Sequence, residues 1–215
     1  MRYFLNNTRG KDIFTGLLFS SAIIIGAVLL VTFCPIIYQV GISSYDLEGY
    51  TGLSNAQMVK SLTTICHYLT LFAKEPLQVP YFTLTKETLI HFKDVKAIYA
   101  FLQVFFIIDV VILSFMIRSH LKESNVEFLN VTGKISVVIV AFFGFLSLTS
   151  FDEAFILMHQ MLFRNNYWLI DPVKDPIIRI FPEMFFNHCL IGILFLIVVV
   201  NIVLQFLYRK VRHSL

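Results

Sequence analysis

Four long apolar stretches alternate with polar segments along the chain, and each has the length of a membrane-crossing helix. The first runs from Ile13 to about Tyr38 behind Arg9, Lys11 and Asp12. The second runs from Ala97 to Ile117 and is closed by Arg118, His120 and Lys122. A third follows Lys134 and reaches Phe151, just ahead of Asp152 and Glu153, and a fourth extends from Phe185 to Tyr208 before Arg209, Lys210 and Arg212. A helix needs about 20 predominantly apolar residues to span a bilayer. The pattern therefore predicts spans at about 13–38, 97–117, 135–151 and 185–208 within a single membrane domain, residues 1–215. The first stretch is too long, and lacks the small-residue cleavage site, for a secretory signal peptide.

Between the spans the periodicity changes. Ser54-Asn55-Ala56-Gln57 has the spacing of a helix-opening capping box, and Met58, Leu62, Ile65 and Leu69 then recur at helical intervals until Pro76 and Pro80 end the pattern. A further helix begins near Thr83 or Thr85, either of which suits an N-cap, and runs into the second span. These helices are amphipathic and suited to a membrane surface. The expected fold is all-α integral membrane, with four transmembrane helices and two extracytoplasmic segments, 39–96 and 152–184, that contain amphipathic or interfacial helices.

Composition agrees. The chain has 215 residues, 57% hydrophobic and only 14% charged, whereas a soluble domain usually carries about a quarter charged residues. Charge adds orientation. With both termini inside, the internal segments hold nine basic residues (Arg2, Arg9, Lys11, Arg118, Lys122, Lys134, Arg209, Lys210, Arg212) against Asp12, Glu123 and Glu127, while the two outer segments hold eight basic and ten acidic residues. Basic residues accumulate on the cytoplasmic side, so the termini are expected in the cytoplasm and the two long segments outside. The net charge of +3 is thus a topology signal, and no basic stripe with interleaved aromatics suggests nucleic acid.

The usual chemical motifs are absent. Cys34, Cys66 and Cys189 show no C-x-x-C spacing, no His/Cys pair has metal-ligand spacing, and there is no nucleophile elbow or glycine-rich phosphate loop. No metal and no soluble cofactor is expected. Imidazoles remain: His67, His91, His159 and His188 fall on or near the outer face, and imidazole is suited to proton transfer near neutral pH. An isolated interfacial histidine is most often structural, and His67 and His188 read that way. His91 has Asp94 three residues on, adjacent on a helix face, and His159 sits in an apolar stretch seven residues after Asp152. Asp94 and Asp152 are candidates to orient the two rings. Arg164, Asn165, Trp168 and Asp171 crowd the same second outer segment, where Trp168 also suits an interfacial anchor and Asp171-Pro172 and Asp175-Pro176 enforce turns; a solvated loop with ordinary ion pairs is the plainer alternative. Asp109, alone within a span, is expected to pair with Asn201 or Gln205 as a polar contact inside the bundle.

The run from Asp152 through His159, Phe163-Arg164-Asn165, Trp168, Asp171-Pro172 and Asp175 to Phe181-Pro182-Glu183 and Phe185-Phe186, with His91-x2-Asp94-Val95-Lys96 before it, resembles the lipoprotein intramolecular transacylase family of Gram-positive bacteria. The resemblance implies an acyltransferase of the cell membrane, multi-pass, with its active site on the extracytoplasmic face. Its substrate would be a diacylglyceryl lipoprotein, whose sn-2 acyl chain moves to the α-amino group of the N-terminal cysteine to give the lyso-form, with membrane lipid as the other partner. It also implies that His91 and His159 are catalytic, one as base and the other as acid or oxyanion stabiliser in an order left open. Asp94 and Asp152 would orient them, and Arg164, Asn165, Trp168 and Asp171 would be substrate or oxyanion contacts. The alternative class is a non-enzymatic membrane binding protein or a small transporter component, which would favour a polar path through the bundle; only Asp109, Asn201 and Gln205 offer one.

Overall fold

A computed structural model describes residues 9–214; Arg2 lies outside the described residues. No strand occurs among them. In chain order the α-helices are α1 (Gly10–Phe33), α2 (Ile36–Gly41), α3 (Leu47–Thr51), α4 (Asn55–Tyr68), α5 (Lys86–Lys122), α6 (Glu127–Thr149), α7 (Phe151–Leu162) and α8 (Glu183–Ser214), with short 3-10 turns at Ile42–Tyr45 and Pro176–Ile180. Four of these helices, α1, α5, α6 and α8, are long and apolar enough to cross a membrane. The first ends at Phe33 because Pro35 follows, so the apolar residues from Ile36 onward belong to α2. α5 contains 37 residues, about 55 Å of helix. That exceeds a bilayer core, and its charged first turns, Lys86 to Lys96, precede the apolar stretch that opens at Ala97.

The chain divides into two compact units. One comprises residues 9–28, 104–145 and 193–214 of the described chain. Its core gathers Val126, Phe128, Leu129, Leu204 and Tyr208. α1 and α6 approach closely at Gly16, where a side-chain Cβ would fall 2.6 Å from a methyl of Val131. Asp109 is buried there and accepts a 2.6 Å hydrogen bond from the Ser21 hydroxyl, a partner that the expectation of Asn201 or Gln205 did not include. At one end a buried polar cluster joins α1 to the α5–α6 turn. Asp12 accepts from the Asn125 amide at 2.6 Å, and His120 meets the Thr15 hydroxyl at 2.9 Å. Large apolar side chains such as Ile108, Val111 and Phe115 remain exposed at helical spacing on α5, as expected where lipid is the solvent.

The other unit comprises residues 29–103 and 146–192. Here α4 is capped as its sequence predicts: Ser54 Oγ accepts from the Gln57 N–H, and the Gln57 side chain accepts from the Ser54 N–H at 2.9 Å. Its apolar stripe Met58, Leu62 and Ile65 is buried with Tyr38, Leu47, Phe92, Ile177, Ile180 and Phe185. α4 therefore packs into protein rather than lying free on a membrane surface. α7 behaves differently. None of its residues is buried, and Ile156, Leu157, Met161 and Leu162 are exposed. A short helix with an open apolar face of this kind suits the membrane interface.

Candidate active site

All the polar residues singled out in the two outer segments lie in this second unit, and it brings part of them together. His91 stands in the second turn of α5 and His159 in the third turn of α7, with ring centroids 6.4 Å apart. Phe163, the first residue after α7, sits against both: 4.9 Å from His91, edge-on, and 5.6 Å from His159. Trp168 lies 5.1 Å from His159 and Phe155 lies 4.2 Å from it, backed in turn by Phe186. Two imidazoles thus share an aromatic enclosure. Trp168, expected as an interfacial anchor, is also one of its walls.

The two rings are held differently. His159 Nδ1 lies 2.7 Å from the main-chain carbonyl of Phe155, one turn back on the same helix. A carbonyl only accepts, so Nδ1 carries the proton and Nε2 keeps its lone pair. His91 is 8% exposed, and its Nδ1 is buried with no hydrogen-bond partner. Burial pushes the His91 pKa down to about 4, the nearby His159 adds to that shift, and Asp94 opposes it. Burial likewise lowers His159, against the hydrogen bond to Phe155, which raises it. Both shifts favour the neutral form of the rings, because burial penalises the charged form.

The remaining predicted residues fall into separate places. Asp94 accepts a 2.9 Å hydrogen bond from the Asn165 amide, and Asn165 Oδ1 in turn receives the Tyr167 N–H at 3.0 Å. This pair ties the loop after α7 to the helix that carries His91. Asp152 is exposed and lies against the Glu183 carboxyl, and His159 takes its Nδ1 partner from the main chain instead. Arg164 is exposed. Asp171 is exposed and shapes its turn by accepting from the Val173 N–H at 2.8 Å.

One residue matters more than its sequence context suggested. Asp175 is only 3% exposed and accepts three hydrogen bonds from the start of α5: from the Thr85 N–H at 2.7 Å, the Thr85 hydroxyl at 2.6 Å and the Thr88 hydroxyl at 2.9 Å. Thr85 caps the helix, its Oγ1 accepting from the Thr88 N–H at 3.3 Å. Asp175 thereby fixes the turn immediately before His91. In the sequence it stood beside a proline and read as a turn former; a buried acid facing two threonines 87 and 90 positions away carries no local signal.

Four helices long and apolar enough to cross a membrane and two histidines set side by side among aromatic rings define a multi-pass, all-helical membrane protein. The family model described as lipoprotein intramolecular transacylase Lit matches residues 13–186, and the chain belongs to that family of transacylases. The solved structure of the membrane-integral transacylase Lit from Bacillus cereus is 25% identical, with a TM-score of 0.92 over 95% of both chains. Two further structures of that protein, with one histidine replaced by arginine or by alanine, match with TM-scores of 0.85 over 95% of this chain and 91% and 93% of theirs. No curated protein sequence matches the chain.

Proposed function

We propose that the chain moves the sn-2 acyl group of an S-diacylglyceryl lipoprotein onto the α-amino group of the same N-terminal cysteine, with His91 and His159 handling the protons at the outer membrane surface. The observation that carries the reading is the pair itself: two imidazoles 6.4 Å apart inside an aromatic enclosure, where burial favours the neutral form of both. The substituted histidine in two of the Bacillus cereus structures supports it. The charge bias, with basic residues gathered at the opposite ends of the spans, supports the outward-facing placement.

The reaction needs no nucleophile from the protein. The substrate ammonium loses a proton, and the free amine attacks the ester carbonyl. The tetrahedral intermediate then sheds a second proton from nitrogen as the C–O bond to glycerol breaks and the departing oxygen takes a proton. An ester becomes an amide and a hydroxyl, and one proton is released. His159 is the base in this scheme, because its Nδ1–H is committed to the Phe155 carbonyl and Nε2 is left as an acceptor. His91 is the donor to the oxyanion or the departing oxygen. Its buried Nδ1 has no acceptor for a proton, so the less costly tautomer carries the proton on Nε2. Holding amine and ester on one molecule makes orientation the main contribution of the site, and the Phe163, Trp168 and Phe186 walls exclude water that would hydrolyse the ester. Asp94 and Asn165 position the two carrying segments, and Arg164 and Asp171, both exposed, are left to the polar part of the substrate.

The test is incubation of the purified protein in lipid nanodiscs with a synthetic diacylglyceryl lipopeptide, followed by fragmentation of the product. Intact mass stays constant, so the fragment carrying the N-terminal residue must gain the acyl chain. Replacing either histidine with alanine is expected to slow this transfer by roughly 10²–10⁴-fold, the usual contribution of general acid–base groups. Transfer at the wild-type rate in both variants overturns the assignment.

A further inference from the structure

The second unit contains a cleft of about 410 Å³ lined by Tyr45, Tyr50, Ile170, Pro172, Arg179 and Pro182, among others. It uses none of the groups assigned to proton transfer. Its walls are nevertheless continuous in sequence with the histidine enclosure: Ile170 follows Trp168 by two residues, and Pro182 precedes Phe186 by four. The Arg179 guanidinium lies 5.3 Å from the Tyr50 ring, and its Nε is buried with no hydrogen-bond partner. A ring over the guanidinium face leaves the edge donors to be used, and a buried N–H without an acceptor is unfavourable until something supplies one.

We propose that this cleft binds the peptide that follows the lipid-bearing cysteine, with Arg179 donating to a main-chain carbonyl and Tyr50 and the prolines packing against the extended backbone. The inference rests on the acyl-transfer reading. The lining argues for peptide rather than for a phosphate group. Aromatic, proline and aliphatic side chains dominate it with a single cation, Arg179. A neutral carbonyl acceptor suits such an apolar lining, whereas a phosphodiester would find only one cation in it. A site of this kind lets the enzyme recognise the part of a lipoprotein that distinguishes it from bulk phospholipid.

The experiment compares two lipopeptides with the full-length protein in nanodiscs: the diacylglyceryl cysteine amide alone, and the same group extended by about six residues. Wild-type kcat/KM is expected to favour the longer substrate by roughly tenfold, the worth of one well-placed hydrogen bond to a charged group. Arg179→Gln is expected to bring that ratio near one, chiefly through KM. Tyr50→Ala, at a residue 59% exposed and outside the packed core, is expected to reduce it as well. A photoreactive residue placed two positions after the cysteine should cross-link to residues 45–50 or 170–182. The proposal is overturned if the wild type shows no length dependence, if both variants keep the ratio, or if the cross-link lands elsewhere. It is equally overturned if the variants respond only to anionic phospholipid content and alike for both substrates, since the cleft would then hold lipid. If the wild type transfers the acyl group in neither substrate, the acyl-transfer reading falls, and the cross-link alone decides what the cleft binds.

Discussion

Asp175→Ala removes an acceptor that three donors at the start of α5 share, at 2.7, 2.6 and 2.9 Å from its oxygens. A hydrogen bond to a charged group contributes about 1.5–3 kcal/mol, and three on one carboxylate do not add in full. The site is only 3% exposed, so water cannot replace the lost acceptor, and the expected destabilisation is roughly 4 kcal/mol. For a chain of this length that corresponds to a fall of about 8–16 °C in the unfolding midpoint. Trp168, the single tryptophan and a neighbour of His159, reports the transition by its fluorescence. Thr88→Val removes one of the three donors and is expected to be milder, about 1–1.5 kcal/mol. In the double variant the two effects should fall well short of additivity. Because Asp175 sets the turn before His91, transfer by the folded fraction should also drop. A midpoint within about 2 °C of wild type, or full additivity in the cycle, would refute the reasoning.

Asn165→Ala breaks the bond to Asp94 that ties the post-α7 loop to α5; a loss of about 1 kcal/mol in stability with roughly tenfold slower transfer is expected, measured by thermal unfolding and the lipopeptide assay. The acid limb of the kcat/KM profile should have its midpoint below pH 6.5, since burial lowers the pKa of both histidines; a midpoint above that value excludes a buried imidazole as the base. Stability shares the sign. With the folded pKa of His91 near 4 and the unfolded one near 6.5, the unfolded chain takes up the proton first, so stability declines as pH falls through that window and levels off below it. Asp109→Asn keeps an acceptor for the Ser21 hydroxyl in the other compact unit and should leave transfer within twofold of wild type; a larger loss would show that the mid-span acid takes part in function.

Hydropathy made the four spanning helices legible because lipid imposes a long, uninterrupted apolar pattern. The same continuity hid the end of α1, where apolar residues carry on past Pro35 into a separate short helix. The α4 stripe was readable from its spacing and capping residues, but not its burial in protein, which depends on what folds over it. Within the site, the histidines stood out as ionisable groups in apolar surroundings. Their partners did not. Asn165 meets Asp94 across 71 positions and Asp175 meets Thr85 across 90, distances over which residue spacing carries no information. The seven-residue interval from Asp152 to His159 pointed to a carboxylate as the orienting group, and the ring instead turns back to the carbonyl four residues before it.

That last contact has a wider consequence. Where a side chain fixes a histidine ring, that support can be deleted by substitution. Here it is a peptide oxygen of α7. No codon specifies it. A mutational scan would register the loss of the imidazole and miss what holds it, unless the substitution broke the helix itself. A proline at the fourth residue after Phe155 is already excluded as a test by the loss of the imidazole, so the support is reachable only by altering the backbone chemically, for example by an ester in place of the amide that follows Phe155.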